Sequence, residues 1–229
     1  MPSTNIRLTV TGADANTPLR RIQQLARLPL VEIGLLLSGT PEGRNRYPCV
    51  SWLNEAASAA DGSAALHVCG SVARRWLQDG GIERLTSNVA RIQVNGKVGI
   101  EGISVPDIER LCARYPGHVI ITQHCSGNEA LLQVTATNHA LLVDASGGRG
   151  IAPAVWERPD TLKAVGFAGG LGPDNLVEQL PLIAAAAAGR PGWVDMEGKI
   201  RDADDWFDAD RARACIRAFH EWQAAAACM

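Results

Sequence analysis

Ala140-Leu141-Leu142-Val143-Asp144 runs directly into Ala145-Ser146-Gly147-Gly148-Arg149-Gly150, and Ala164-Val165-Gly166-Phe167-Ala168 runs into Gly169-Gly170-Leu171-Gly172-Pro173-Asp174-Asn175. Each is an apolar run of strand length that stops at a glycine cluster, and the second cluster opens a helical pattern over 174–188. Strand, glycine turn and helix in that order are the parts of a parallel βα unit. The same alternation extends outward in both directions. Strands are predicted at 6–11, 30–37, 65–69, 91–95, 118–123 and 193–196 as well. Helices are predicted over 18–28, with Thr17 as cap and Pro18 in first position, and over 51–60 and 71–78 behind Ser51 and Ser71. Others are predicted over 105–115, with Asp107 and Glu109 near the positive end of the helix dipole, over 128–134 and over 208–222.

Eight strands separated by connecting segments in 229 residues predict a (β/α)8 TIM barrel, an α/β fold, formed as one domain over 1–229. A doubly wound open sheet is the alternative arrangement of the same units. No linker or composition break divides the chain.

Composition narrows the function. A net charge of -2 and a pI near 6.2 argue against a nucleic-acid or membrane surface. The alanine-rich run at 180–189 is far too short to span a bilayer, and the first residues lack the basic and apolar pattern of a leader. Cys49, Cys69, Cys112, Cys125, Cys215 and Cys228 contain no Cys-x-x-Cys pair. A reduced cytoplasmic protein, monomer or homodimer, acting on a small molecule is therefore expected, with no cofactor, metal, nucleic-acid or membrane partner.

In barrels of this kind the working residues lie at the C-terminal ends of the strands. Glycines there let backbone N–H groups approach an anion, and a following helix adds positive potential, although glycines also simply turn a chain. Asp144 is the leading candidate for chemistry, because a carboxylate ending an apolar strand needs a reason to be there. His67 and Cys69 share one face of the third strand by two-residue alternation, and His124 and Cys125 follow the fifth. A zinc site from these four is conceivable by ligand type, but the spacing matches no compact zinc motif. Cys69 is a candidate base or nucleophile if its thiol is acidified. Gln93 and Asn95 share a face, and Asp14 lies in the loop after the first strand. Arg44 and Arg46 lie in the loop after the second.

At these segments the sequence resembles the phosphoribosylanthranilate isomerase family. Leu141-Leu142-Val143-Asp144 with Gly147-Gly148-Arg149-Gly150 and Trp156 resembles its Leu-Leu-Leu-Asp, Gly-Gly-Thr-Gly and Phe-Asp-Trp succession. Ala168-Gly169-Gly170-Leu171-Gly172-Pro173-Asp174-Asn175-Leu176 is similar to its Ala-Gly-Gly-Leu-Asn-Pro-Glu-Asn-Val. Gln93-Val94-Asn95-Gly96 looks like its Gln-Leu-His-Gly, and the stretch ending Arg46-Tyr47 occupies the place of its Ser-Pro-Arg-Tyr. The resemblance implies an aldose–ketose isomerase of tryptophan biosynthesis that opens an aminated ribose phosphate. It places the general acid at Asp144 and an anion clamp at Arg46, with phosphate held near Gly147, Gly148, Gly169 and Gly170.

Two stretches depart from the family. Its cysteine base, in Lys-Ile-Cys-Gly, falls on Thr11 of Thr9-Val10-Thr11-Gly12, and an alcohol is a poor base near neutral pH. Its Asp-Val-Ser-Ser-Gly-Val-Glu falls on Asp195-Met196-Glu197-Gly198-Lys199-Ile200-Arg201. Gly198, Lys199 and Arg201 remain candidates for holding an anion, whereas Glu197 repels one if it points inward. The expectation is an isomerase-like enzyme for a small phosphorylated or carboxylated sugar derivative. Thr11, Asp14 and Cys69 are its candidate bases. The alternative is a non-catalytic small-molecule binder or regulator on the same barrel.

Overall fold

Apolar side chains alternate along each strand, so each strand has one face for the helices and one for the barrel interior. In the computed structural model, which describes residues 5–40, 44–144 and 150–227, this produces a closed barrel of eight parallel strands in chain order. They are β1 (Ile6–Thr11), β2 (Val31–Ser38), β3 (Ala64–Cys69), β4 (Arg91–Val94), β5 (Val119–His124), β6 (His139–Asp144), β7 (Val165–Ala168) and β8 (Gly192–Met196). Closure is direct: β8 pairs with β1, Gly192 opposite Ile6 and Met196 opposite Val10. The (β/α)8 barrel is thus the fold, and the open sheet is not.

Around it lie α1 (Leu19–Ala26), α2 (Val50–Ala59), α3 (Gly70–Asp79), α4 (Glu83–Thr86), α5 (Val105–Arg114), α6 (Leu176–Ala187) and α7 (Ala209–Ala227). Ile33, Leu35 and Leu37 of β2 face outward and join Leu53, Ala56 and Leu77 of the helices in one buried layer. Burying such side chains, at roughly 1.5–3 kcal/mol each, is what fixes the ring of helices to the strands.

The barrel interior is different. Its apolar part is small: Ile121, Ala140, Leu142 and Trp193. Below the site, Arg91 donates to Glu32 Oε1 at 2.8 Å and to Thr9 Oγ1 at 2.9 Å, all three buried. The Arg91 guanidinium also stacks 4.4 Å from the Trp193 ring centre. Trp193 is accommodated because Gly166 faces it; a Cβ on Gly166 would stand 2.1 Å from the indole.

Local departures from the sequence expectations have simple causes. Thr17 does not cap α1; its hydroxyl instead contacts Asp14, and Pro18 occupies the cap position. Cys49 and Cys69, not Ser51 and Ser71, stand at the caps of α2 and α3, because the backbone turns into each helix earlier than the serines. The helix predicted at 128–134 is a 3-10 turn, Glu129–Gln133. Residues 150–164, between β6 and β7, form no regular helix. There Trp156 covers the barrel edge-on to Phe167 at 6.0 Å, its indole donating to Gln179 Oε1 at 2.8 Å. No helix among the described residues is long and apolar enough to cross a membrane.

Candidate active site

The C-terminal ends of the strands surround a cavity of about 630 Å³, within the range of small-molecule sites. Inward alternation delivers its lining: Cys69 beyond His67 on β3, Asn95 beyond Gln93 after β4, Asp144 on β6, and Asp195 then Glu197 from β8. Arg44, Arg46 and Tyr47 reach it from the loop after β2. Gly169, Gly170, Gly198 and Lys199 close the side where the loops after β7 and β8 meet.

That side is built around glycines. Gly169 and Gly170 have φ of +128° and +60°, conformations that a side chain strains. The side chain of Asn175 fixes the turn, accepting from Gly172 N and donating to Gly170 O, both at 3.0 Å. Asp144 Oδ1 lies 3.7 Å from where a Cβ of Gly169 would stand, so the carboxylate and the turn share one wall. The Lys199 stem packs over Gly172, and the residue is exposed and lines the cavity. Gly147 and Gly148, expected to contribute here, lie outside the described residues.

Thr11, Asp14 and Arg201 are not among the residues lining the cavity. Arg201 is buried and reaches beneath the loops, donating to Asp14 Oδ2 at 2.9 Å and to Gly12 O at 2.8 Å. Asp14 also accepts from Phe207 N at 2.6 Å and Asn16 N at 3.2 Å. Its carboxylate is filled by structural donors, and Arg201 is directed at it rather than at a ligand. The reversal of charge at 201 is matched by an acid at 14, which is why neither residue faces the opening.

Thr11 has a different partner. Its hydroxyl donates to Asp195 Oδ1 at 2.7 Å, and it has room because β2 carries Gly34, where a Cβ would stand 2.1 Å from Thr11 Oγ1. On the other side of Asp195, its Oδ2 is 3.8 Å from His67 Nε2. His67 Nδ1 faces Gln93 Nε2 at 3.3 Å; Gln93 also donates to Asn95 Oδ1 at 2.9 Å, which assigns Nδ1 as acceptor and leaves the ring proton on Nε2. Gln93 Oε1 is buried with no hydrogen-bond partner among the described residues, an acceptor available to a ligand donor.

Burial dominates the proton affinities here. It pushes the Asp195 carboxyl up to about 7, against the pull of Thr11 and Arg91. It pushes His67 down to about 4, so the imidazole is neutral at physiological pH and the two do not form a charged pair. Cys69 is pushed up to about 11, again by burial, with its sulfur accepting from Asn95 Nδ2 at 3.3 Å. Cys69 therefore remains a thiol, which removes the acidified cysteine considered from the sequence.

Arg46 is engaged at the mouth. It donates to Glu197 Oε1 at 2.5 Å and, through Nε and Nη2, to both oxygens of Asp205 at 3.0 and 2.5 Å. Asp205 is held at φ +64° with its carboxylate also 2.9 Å from Arg201 Nε. Together with Asn45, which donates to Asp204 O at 2.9 Å, these contacts tie the loop after β2 to the loop after β8. Glu197 does point inward, and burial raises its proton affinity while Arg46 opposes the rise. His124 and Cys125 line a separate hollow with Trp156 and Arg158, away from His67 and Cys69, so the four do not gather. Among the described residues no cluster of three or more His, Cys, Asp or Glu is arranged for a metal.

No family model and no curated protein sequence matches the chain. Solved structures do. A phosphoribosyl anthranilate isomerase from Thermus thermophilus superposes with a TM-score of 0.64 at 18% identity, covering 94% of this chain and 99% of that one. TrpF from Jonesia denitrificans gives 0.64 at 17%, covering 95% and 98%. A phosphoribosyl anthranilate isomerase in complex with reduced 1-(o-carboxyphenylamino)-1-deoxyribulose 5-phosphate gives 0.63 at 12%, covering 94% and 99%. At these identities the likeness establishes the shared fold.

Asp195 is a cavity-lining carboxylate that the sequence analysis does not single out. The signal was present, since it is a carboxylate on an apolar strand, Trp193-Val194-Asp195-Met196, just as Asp144 is.

Proposed function

We propose that the protein is an isomerase of the phosphoribosylanthranilate isomerase type, converting a small aminated sugar phosphate from aldose to ketose form in the reduced cytoplasm. The observation that carries this reading is the shared wall of Asp144 and the Gly169–Gly170 turn, a proton-transfer group placed beside a site for a doubly charged anion. Backbone N–H groups of the turn and the Lys199 ammonium group hold the phosphate. Asp144 protonates the departing ring oxygen as the sugar opens. Gln93 Oε1 accepts from a sugar hydroxyl. Fold likeness to a phosphoribosyl anthranilate isomerase whose structure holds reduced 1-(o-carboxyphenylamino)-1-deoxyribulose 5-phosphate supports the substrate class.

Turnover of phosphoribosyl anthranilate by the full chain tests the reading, together with growth of a tryptophan auxotroph lacking that isomerase. Asp144→Asn is expected to lower kcat by roughly 10²–10⁴-fold, the usual weight of a positioned acid, with KM nearly unchanged. Lys199→Ala is expected to weaken inhibition by inorganic phosphate by about tenfold at low salt, reflecting loss of one charge-assisted contact. Saturable binding of the sugar phosphate without any turnover, unaffected by Asp144→Asn, identifies a binder and defeats the proposal.

A further inference from the structure

An isomerase of this kind needs a second proton-transfer group, and the position aligned with the family's cysteine carries Thr11, which is 1% exposed. The Thr11 hydroxyl is not free to act on a ligand, because it donates to Asp195 Oδ1 at 2.7 Å. Asp195 itself lines the cavity, two strand pairings away from Asp144: Ala168 is the partner of both, through β6–β7 and β7–β8. Its second oxygen faces His67 Nε2 at 3.8 Å, too long for a hydrogen bond and open to a ligand C–H. We propose that Asp195 is the base that removes the proton from carbon in this cavity, oriented by Thr11. This inference rests on the isomerase reading and adds the residue that reading lacks.

Asp144 gives its proton to the ring oxygen, the C1–O bond breaks, and the nitrogen lone pair forms a C1=N bond. Asp195 takes the C2 proton; the C–H pair becomes C1=C2 and the C=N π pair returns to nitrogen. The enol O–H proton then passes to Asp144, the oxygen becomes the C2 carbonyl, and C1 takes the proton back from Asp195. Both carboxyls end as they began, with no oxidant or reductant.

Every charged or titratable neighbour of Asp195 bears on its proton affinity. His67 on β3 is neutral. Arg91 on β4 lowers the affinity, while Glu32 on β2 and Asp144 on β6 raise it, as does burial. Glu197 stands at the end of the same strand. The net result is a base matched to neutral pH.

The experiment follows the Asp195 carboxyl carbon by NMR across pH in the ligand-free full chain, assigned by its loss in Asp195→Asn. Titration is expected near 7, and Thr11→Val, which removes the donor to the ionised form, is expected to move it upward. With phosphoribosyl anthranilate, kcat/KM is expected to fall tenfold per pH unit below that same value. The Thr11→Val shift should appear equally in this acid limb. Asp195→Asn is expected to lower kcat by roughly 10²–10⁴-fold. An ordinary aspartate titration, or Asp195→Asn with the parent's kcat, overturns the proposal. If the parent chain does not turn over phosphoribosyl anthranilate, the isomerase reading fails by itself. The ligand-free titration and its response to Thr11→Val then decide whether Asp195 is poised as a base.

Discussion

Asp195→Asn is expected to raise the protein's stability by about 2–4 kcal/mol at pH 8.5 and by almost nothing at pH 4. The sign follows from the direction of the shift. Burial raises this carboxyl from its ordinary 3.8 to about 7 in the folded chain. Between those values the folded protein holds a proton that the unfolded chain has released, so stability declines as pH rises through the interval. Above 7 the native state carries an ionised carboxylate in a buried setting, and the cost is complete. Asparagine does not titrate, and its Oδ1 still accepts from Thr11. The difference between variant and parent therefore isolates this group from the rest of the titrating surface. Urea unfolding at several pH values measures it. An asparagine variant less stable than the parent by a constant amount across pH contradicts the account. A site residue that lowers stability in the state that does chemistry is a familiar compromise between stability and activity.

The second large effect concerns Asp14. Asp14→Ala is expected to cost about 3–5 kcal/mol, because it removes the buried carboxylate from a buried guanidinium and leaves only the partly exposed Asp205 carboxylate to balance its charge. The side chain of Arg201 is 2% exposed and that of Asp14 0% exposed, so neither charge recovers solvent. Burial already pushes the Asp14 carboxyl upward, against the Phe207 amide and Arg201, which means the pair is maintained against a real desolvation cost. Replacing both together, Asp14→Leu with Arg201→Met, is expected to be far less damaging than the single change, since no charge is stranded. Chemical denaturation of the two single variants and the double variant checks this. A single variant as stable as the parent, with only KM altered, would instead place Asp14 and Arg201 in ligand binding.

The barrel was legible from the sequence because its signal is local and repeated: Leu141-Leu142-Val143-Asp144 before glycines, Val165-Gly166-Phe167-Ala168 before glycines again. The positions of Asp144, Gly169 and Gly170 at one opening follow directly from that reading, since strand ends converge in a closed barrel. Partnerships across the barrel were not legible. Nothing near Asp14 announces Arg201, 187 residues later. Thr11 read alone is an inert substitution for a thiol, and becomes informative only when Asp195 is placed 2.7 Å away, 184 residues along the chain. The acidity of Cys69 was likewise beyond sequence, because its sign depends on enclosure, and enclosure raises a thiol where a nearby cation would have lowered it. The helix caps differ from Thr17, Ser51 and Ser71 by one or two residues: α1 begins behind Pro18, just after Thr17, whereas α2 and α3 begin before their serines, α3 directly from the end of β3.

The contacts that tie the loop after β2 to the loop after β8 have a consequence for the kinetics of ligand capture. Arg46, Glu197 and Asp205 are each only partly shielded, with side chains 27%, 34% and 36% exposed. Mobile ions screen such charges over about 10 Å at 0.1 M. Raising ionic strength therefore loosens the fastening over the mouth even as it dulls the pull of Lys199 on an anion. Stopped-flow association rates that climb with salt before declining would record the two influences in turn, the opening of a door and the fading of the attraction behind it.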